Sequence, residues 1–379
     1  MKVAHLDTGR SWRGGQAQVL LLMRGLAARG HESLLLAPPG PLLEKARAAG
    51  VRCTPWRAGG EWDLGAMGAA WAALRGFAPL VAHAHSAHAH TLGVPAARLA
   101  GVPAVVVSRR VDFAVAGNPL SRLKYRMPVD RYLCISRGVR DVLRAGGVAE
   151  RQLALVPSGI ELPEDGVAAD ASPSAGMQGK TPAKLDVRSV IGVPSSTPIV
   201  GTVAALAPHK NHADLLRAAR IVVDARPDVH FVWVGEGECR AALEQQRFDL
   251  ALESNVHLLG FRADARGLMR QFTLFVLSSY LEGLCTSLLD AQSLGVPVVA
   301  SAVGGVPDVI ADGVNGRLVP ARDPAALAAA VLSALGDEGA RRAWAGHARE
   351  TVRAFSAGHM VEATLSAYRA ALAEHRMNP

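Results

Sequence analysis

The sequence has no long apolar run and few cysteines. No apolar stretch in its 379 residues approaches the ~20 residues of a membrane-spanning helix. The first residues, MKVAHLDTGR, form a strand-like pattern and not a cleavable signal, so we expect a cytoplasmic protein. The four cysteines are scattered and lack CxxC spacing, which argues against a disulfide framework or a zinc site and favours free thiols.

Motifs of several common function classes are also missing. No G-x-G-x-x-G follows a predicted strand with an acidic residue about 20 positions later, which excludes a dinucleotide-dependent dehydrogenase. The sequence has no short-period repeat, coiled-coil heptads or basic-aromatic module, so we expect no nucleic-acid partner. The length and the 50% hydrophobic content instead predict two domains of ordinary size, each with its own core.

Positive charge is concentrated in the first half of the chain. Residues 1–165 contain 21 Lys and Arg against 12 Asp and Glu, or +9, and the remainder contains 20 against 21, or −1, which gives the net charge of +8. A basic face favours an anionic partner, such as a phosphorylated acceptor or an anionic membrane surface, and is equally compatible with a solvated arginine-rich surface. The densest run contains Arg109, Arg110, Arg122, Lys124, Arg126 and Arg131.

Short β-branched apolar runs alternate with Ala- and Leu-rich amphipathic segments, a pattern typical of parallel sheets covered by helices. We predict an α/β domain at 1–162, a linker or mobile insertion at 163–184, a second α/β domain at 185–355 and a C-terminal helix at 356–379 that could pack on either domain. The predicted strands are KVAHLD, ESLLLA, VRCTPW, LVAHAH, AVVVSR, RYLCIS and LALVPS in the first domain, and PIVGTVAAL, HFVWVGEG, NVHLLGF, LFVLSS, PVVASA and GRLVP in the second.

The stretch SSYLEGLCTSLLDAQSLGVPVVAS, residues 278–301, predicts an anion site. A turn leads from a buried strand into a helix whose first amides lie near Thr286 and Ser287, and free amides at a helix N-terminus favour phosphate. Glu282 precedes those amides and Asp290 lies about one turn into the helix, so the two carboxylates can bracket a bound phosphate. Because carboxylates accept hydrogen bonds from hydroxyls, the predicted ligand has hydroxyls on both sides of a diphosphate, as a nucleotide sugar does.

The same stretch resembles glycosyltransferase family 4, whose members are retaining enzymes with the GT-B fold. The family signature E-G-x6-E, followed by A-x3-G-x-P-V-V-A-S-x2-G-G-x-P-E, is matched here by EGLCTSLLDAQSLGVPVVASAVGGVPD. The segments NVHLLGF, GVNGRLVP and LALVPSGIEL also resemble family positions, so the likeness spans nearly the whole chain. It implies two Rossmann-like, doubly wound parallel-sheet domains facing each other across a cleft.

The resemblance implies roles for individual residues of the second domain. Glu282 would bind hydroxyls of the donor sugar, Asp290 the ribose of the nucleotide, and Lys210 a phosphate. Phe261, in the segment GFRAD that bears on donor choice, belongs to the same donor-binding set. The backbone that would bind the diphosphate is that of Gly283, Leu284, Cys285, Thr286 and Ser287. No cofactor is implied, and no metal is required for transfer.

Two positions depart from the family pattern. Asp290 stands where the family has glutamate, and Ala205, in AALAPHKN, stands where it has an arginine. Arg10 and Arg13, beside SWRGGQ, are candidates to replace that arginine. The pair Gly14 and Gly15 follows the first strand and opens the first helix, and in the family such a pair faces the donor.

The acceptor side is less clearly marked in the sequence. His83, His85, His88 and His90 lie within VAHAHSAHAH, yet no carboxylate or cysteine is near, so a metal site is not expected. We predict that His85 lines the acceptor site, with a plain structural role as the alternative. Arg110 and Asp112 end another strand in SRRVDF. Asp112 could take the acceptor proton, a task also assigned to a donor phosphate oxygen, or pair with a neighbouring arginine.

These observations lead to a prediction of function. We expect a retaining glycosyltransferase that moves a sugar from a nucleoside-diphosphate donor to a hydroxyl of a glycan or lipid-linked acceptor, phosphorylated acceptors included. The basic first domain suits lipopolysaccharide or surface-polysaccharide assembly at the cytoplasmic face of the inner membrane, with peripheral contact to that face. A non-catalytic protein that binds nucleotide sugars or glycans and a nucleotide-sugar epimerase are the alternatives.

Overall fold

The computed structural model describes residues 1–113, 115, 124–163 and 186–377. Nearly all of the predicted linker, and Arg122 of the basic run, lie outside the described residues. The chain forms two compact units, one comprising Met1–Gly159 with Ser356–Pro379 and the other Ile160–Phe355. The first unit thus ends at Gly159, whereas the sequence placed the boundary at residue 162. Within the described residues, no helix is both long and apolar enough to cross a membrane.

The first unit contains a seven-stranded parallel sheet, and every strand predicted for it is confirmed. In space the strands follow the order β3-β2-β1-β4-β5-β6-β7. Their buried runs are rich in Val, Leu and Ala, as expected for a sheet covered on both faces. The strands are β1 Lys2–Leu6, β2 Glu32–Ala37, β3 Arg52–Pro55, β4 Val81–Ala84, β5 Ala104–Arg109, β6 Arg131–Cys134 and β7 Leu153–Leu155.

Helices connect these strands, and in two of them the side chain of the N-cap residue accepts a backbone hydrogen bond. Asp63 accepts a hydrogen bond from the Ala66 amide, and Ser136 accepts one from the Val139 amide, so each satisfies a backbone donor of a first turn. The helices between the strands are α1 Gly14–Ala27, α2 Pro41–Ala48, α3 Leu64–Phe77, α4 Ala87–Leu99 and α5 Arg137–Ala145.

The C-terminal helix belongs to the core of the first unit. Its side chains Val361, Leu365 and Tyr368 are buried and pack with residues of α1 and of the sheet, including Val3 and Leu133. The chain therefore returns to the first sheet after completing the second unit, a contact that links residues more than 300 positions apart in sequence.

The second unit contains a six-stranded parallel sheet in the order β10-β9-β8-β11-β12-β13, and its six predicted strands are also confirmed. The strands are β8 Ile199–Val203, β9 His230–Val234, β10 Val256–Leu258, β11 Leu274–Leu277, β12 Val298–Ser301 and β13 Arg317–Val319. The remaining helices in chain order are α6 Val187–Ile191, α7 His212–Ala225, α8 Arg240–Asp249, α9 Ala265–Met269, α10 Thr286–Ser293, α11 Pro324–Gly336 and α12 Glu338–Thr351, followed by α13 Ala357–Met377 in the first unit.

Each sheet has one position where the direction of winding reverses. In the first sheet it lies between β1 and β4, and in the second between β8 and β11. The strands that follow β1 or β8 in the chain are added on one side of this position, and the strands from β4 or β11 onward are added on the other side. At such a point the two loops that leave the strands diverge and open a crevice, where ligands of doubly wound folds bind. The segments that follow β1, β4, β8 and β11 are therefore the candidate ligand-binding segments.

The position of the C-terminal helix predicts the effect of a core substitution. Leu365→Ala should destabilise the first unit by about 2–5 kcal/mol, because it leaves a cavity in a close-packed core. Urea denaturation followed by circular dichroism and tryptophan fluorescence would measure the loss. Ser366→Ala, at the exposed neighbouring position, is the control and should leave the transition unchanged. An unaffected Leu365→Ala variant would mean that α13 does not contribute to this core.

Candidate functional site

The loops that leave β8 and β11 carry two charged side chains, Lys210 and Glu282. After β8 the chain makes a short 3-10 turn, Pro208–Lys210, and Asn211 in the left-handed conformation then starts α7. After β11 it passes through residues 278–285 before α10 begins at Thr286. Lys210 and Glu282 thus both lie at the point of reversal between adjacent strands.

Lys210 and Glu282 form a largely buried ion pair. The Lys210 Nζ atom lies 2.5 Å from Glu282 Oε1, and the two side chains are 15% and 6% exposed. The Ser279 hydroxyl donates to the same carboxylate oxygen at 2.7 Å. A buried charge is tolerated only when it is paired and hydrogen-bonded, so each of these groups requires the others.

Hydrogen bonds to backbone carbonyls fix the two loops around this pair. The Ser278 hydroxyl donates to the Lys210 carbonyl at 2.9 Å, and the Tyr280 amide donates to the His209 carbonyl at 3.0 Å. On the other side the Gly305 amide donates to the Glu282 carbonyl at 3.1 Å. The charged pair is consequently held by three segments and not by side-chain contact alone.

The helix predicted to bind phosphate begins where the sequence placed it. Helix α10 starts at Thr286 and ends before Gly295, whose positive φ of 71° suits glycine. Cys285 is the N-cap residue and makes no side-chain cap hydrogen bond. Its thiol lies 3.1 Å from the Ser287 hydroxyl, and burial raises its pKa. Gly283 and Leu284 connect Glu282 to Cys285, so the positive end of the helix dipole lies next to Glu282.

Asp290 lies one turn into α10 and has a charged neighbour that the sequence did not indicate. It pairs with Arg266, whose Nη1 atom is 3.5 Å from Asp290 Oδ1. Burial raises the pKa of Asp290 to about 6, although Arg266 lowers it, and Glu161 raises it further. The carboxylate is therefore ionised at neutral pH and becomes protonated in mildly acidic solution.

The two other positions marked in this unit, Ala205 and Phe261, are both exposed. Near Ala205 the backbone is crowded: a Cβ atom on Gly235 would lie 1.9 Å from the Ala204 carbonyl oxygen, and one on Gly237 would lie 2.4 Å from that of Leu206. Glycine is thus required for the loop after β9 to run this close to the loop after β8. Ala205 brings no cation to this edge of the sheet.

In the first unit, the glycine pair opens α1 as predicted. Gly14 and Gly15 are its first two residues and Arg13 is its N-cap residue, with an exposed side chain. A Cβ atom on Gly15 would lie 3.8 Å from Arg110 Cδ. Burial lowers the pKa of Arg110 to about 10, and the nearby Asp7 opposes that decrease. Arg10 is exposed.

The histidines around β4 separate into different environments. His88 is exposed, and His90 is buried in α4, with its ring 5.7 Å from that of Tyr132. His83 and His85 instead join His5 of β1, because β1 and β4 pair with His5 opposite His83. His85 is 5% exposed, and its predicted contact with the acceptor stays a prediction.

Hydrogen bonds account for part of the cluster of His5, His83 and His85. One ring nitrogen of each lies within 4.8 Å of the others, a spacing that could hold a metal ion. However, His83 Nδ1 contacts the Tyr368 hydroxyl at 2.6 Å and its Nε2 contacts the Ser108 hydroxyl at 2.8 Å. His5 Nδ1 and His85 Nε2 contact each other at 3.0 Å. Four of the six ring nitrogens therefore have partners, whereas His5 Nε2 and His85 Nδ1 are buried and have no hydrogen-bond partner among the described residues.

The basic run of the first unit is partly neutralised by pairing. Lys124 contacts Glu61 at 3.2 Å, and Arg131 forms an ion pair with Glu374 of α13. Asp112 is half-buried just after β5. Its predicted role with the acceptor proton stays a prediction.

Sequence reasoning missed several members of these sites. His5 and Arg266 become neighbours of His83 and Asp290 only through strand pairing and helix packing. Ser279 is a local neighbour, since it lies three residues before Glu282 in the segment that follows β11.

Comparison with known families agrees with this geometry. Residues 12–164 match the family described as Glycosyltransferase Family 4, and residues 184–351 match the one described as Glycosyl transferases group 1. Together the two matches include every strand of both sheets except β1, and the segments that carry Lys210, Glu282 and Asp290. The chain belongs to the family 4 type of glycosyltransferases. Its expected GT-B class, two parallel-sheet Rossmann-like units, is confirmed.

Curated relatives of this family 4 chain include two bacterial transferases. The UDP-Gal:alpha-D-GlcNAc-diphosphoundecaprenol alpha-1,3-galactosyltransferase of Escherichia coli is 27% identical over 64% of this chain and 63% of its own length. A D-inositol 3-phosphate glycosyltransferase of Mycolicibacterium smegmatis is 34% identical over 52% of this chain and 46% of its own length. The alignments thus cover less than two thirds of each relative.

Solved structures share the fold at low sequence identity. The Anabaena protein Alr3699/HepE in complex with UDP superposes with a TM-score of 0.80 at 18% identity, over 97% of this chain and 99% of that one. The lipopolysaccharide outer core galactosyltransferase WaaB superposes with a TM-score of 0.70 at 15% identity, over 97% and 99%. At these identities the likeness establishes the fold alone.

The buried ion pair predicts a measurable loss of stability. Lys210→Met removes the cation and leaves Glu282 buried without it, so the second unit should lose about 3–5 kcal/mol of unfolding free energy. The double variant Lys210→Met with Glu282→Gln removes both charges and should recover most of that loss. Denaturant titration of both variants measures the effect. Equal losses in the single and double variants would contradict the coupling.

Proposed function

We propose that this chain transfers a glycosyl group, with retention at the anomeric carbon, from a nucleoside-diphosphate sugar to a hydroxyl of an acceptor. One observation carries the proposal: Lys210, Glu282 and the N-terminus of α10 converge at the point of reversal of the second sheet. This arrangement combines a cation and free helix amides, which bind phosphate, with a carboxylate, which accepts hydrogen bonds from sugar hydroxyls.

The ion pair can serve a donor without being separated. An ammonium group has three donor hydrogens and a carboxylate has about four acceptor positions, so each can hold the other and still bind a ligand. Lys210 would bind a phosphate oxygen, and Glu282 would accept from hydroxyls of the sugar. Asp290 would accept from the ribose, and the backbone of 283–287 would donate to the diphosphate.

In such a transfer the bond between the anomeric carbon and the diphosphate oxygen breaks, and negative charge develops on the leaving nucleoside diphosphate. Lys210 and the positive end of α10 are fixed groups placed to stabilise that charge. We propose that these groups supply the required positive charge and that transfer needs no metal. Ala205, where the family has arginine, makes Lys210 the more important of them.

We further propose a glycan or lipid-linked acceptor and a place in lipopolysaccharide or surface-polysaccharide assembly, with peripheral contact to an anionic membrane face. The support is the E. coli relative, whose name specifies a diphosphoundecaprenol-linked sugar, the WaaB structure, and the excess of basic residues before residue 166. Lys124 and Arg131 are paired with carboxylates, so the exposed arginines are the candidates for contact with anionic groups.

The donor prediction is tested by thermal stability with UDP-, GDP-, ADP- and CMP-sugars. One nucleotide sugar at a hundred times its dissociation constant should stabilise the protein by about 2.7 kcal/mol. Glu282→Gln should abolish the shift, because the neutral amide cannot replace the carboxylate towards both Lys210 and the sugar. Glu244→Gln, which breaks an exposed pair with Arg240, is the matched control and should retain it.

A second measurement separates catalysis from binding. Lys210→Ala should slow release of the nucleoside diphosphate about a hundred- to a thousandfold, the usual loss when a group that stabilises developing charge is removed. Donor binding by the wild type without any transfer or hydrolysis would instead indicate the non-catalytic binding protein. Absence of binding to every sugar in the panel would refute the proposed donor class.

A further inference from the structure

Arg266 is an unusually buried arginine next to the proposed donor site. It lies on the short helix α9 and is 5% exposed. Its guanidinium faces Asp290 at 3.5 Å, the Ser293 hydroxyl at 3.4 Å and the Glu161 carbonyl at 3.2 Å. Two of these partners belong to α10, and the third is the second residue of the second unit.

These contacts join three separate parts of the second unit. Ser293 also donates to the Asp290 carbonyl at 2.8 Å, so Arg266 reaches both the side chain of Asp290 and the hydroxyl that binds its backbone. A planar guanidinium can make such directed contacts with several acceptors at once, which an ammonium group does less well. Burial makes the contacts necessary, since an unpaired charge here would be costly.

We propose that Arg266 is a positioning residue of the donor site, which orients the Asp290 carboxylate and ties helix α10 to the segment at Glu161 where the chain enters the second unit. The inference rests on the proposed function, because Asp290 is the carboxylate assigned to the donor ribose. Aspartate at this position has a shorter side chain than the family glutamate, and Arg266 fixes where that shorter carboxylate lies.

The charges around Asp290 support this assignment. Burial raises its pKa to about 6, Arg266 opposes that rise, and Glu161 adds to it. The other elements packed on α10 present exposed groups: Arg349 of α12, close to Gly295, and Arg353 in the turn that follows α12. Arg266 is thus the buried cation that keeps Asp290 ionised at neutral pH.

The first test compares donor affinity across pH 5 to 9 by calorimetry, using the nucleotide sugar found in the panel. Wild-type affinity should fall below about pH 6 as Asp290 takes up a proton. Arg266→Gln should weaken binding at pH 7 by tenfold or more and move this fall to higher pH. Arg266→Lys should restore part of both effects. Arg270→Gln, at an exposed position of the same segment, is the control and should bind like the wild type.

A double-mutant cycle separates positioning from general damage. In an Asp290→Asn background, Arg266→Gln should cause little further loss of affinity, because Arg266 acts through the carboxylate. An equal fold-loss in both backgrounds, or an unchanged pH profile in Arg266→Gln, would overturn the inference.

A stability measurement distinguishes this failure from failure of the proposed function. Because the folded pKa of Asp290 lies above its unfolded value, stability due to this group is greatest in acid and falls as pH rises through about 6. Arg266→Gln should extend that fall to higher pH, and Asp290→Asn should remove it. If wild type binds no donor while this pattern holds, the pair is real and the donor assignment is wrong. If donor binds but the pattern is absent, the positioning role is wrong.

Discussion

The buried ion pair between Lys210 and Glu282 is the constraint on which the second unit's site depends. Neither charge is stable alone in this environment, so the loops after β8 and β11 must keep the geometry that brings them together. The hydrogen bonds that Ser278, Tyr280 and Gly305 donate to backbone carbonyls of these two loops maintain this geometry. A site held in this way is preorganised: its cation, carboxylate and helix amides are in place before a ligand arrives, and little reorganisation is needed when charge develops.

The first unit instead buries a cluster of titratable side chains in their neutral form. His5, His83 and His85 are buried where β1 and β4 meet, and burial lowers the pKa of each, His5 to about 3. Their rings therefore remain uncharged at neutral pH. Both nitrogens of His83 are hydrogen-bonded, to Tyr368 and Ser108, and His5 and His85 each use one nitrogen to bind the other. Since Tyr368 lies on the C-terminal helix, the point of reversal of the first sheet is completed by a segment distant in sequence.

The structure shows which residues surround the two positions that depart from the family pattern, Asp290 and Ala205. Asp290 is not simply a shortened glutamate, because Arg266 and Ser293 surround it with directed contacts. Ala205 lies at a crowded edge where Gly235 and Gly237 let two loops run close together, and Lys210 lies five residues further along the same loop. The residues that surround Asp290 and Ala205 are thus visible only in the structure, because the family signature does not include them.

The sequence by itself determined the thirteen strands of the described residues, the helix that follows Glu282 and the family, because these depend on local periodicity, glycine positions and a short signature. The tertiary structure alone decided the order of the strands, the unit to which α13 belongs, and the partners of Glu282, Asp290 and His83. Lys210 and Glu282 are 72 residues apart, and no local pattern encodes a contact over that distance. Such contacts arise when parallel strands pair and their carboxyl ends meet, which is a property of the whole sheet.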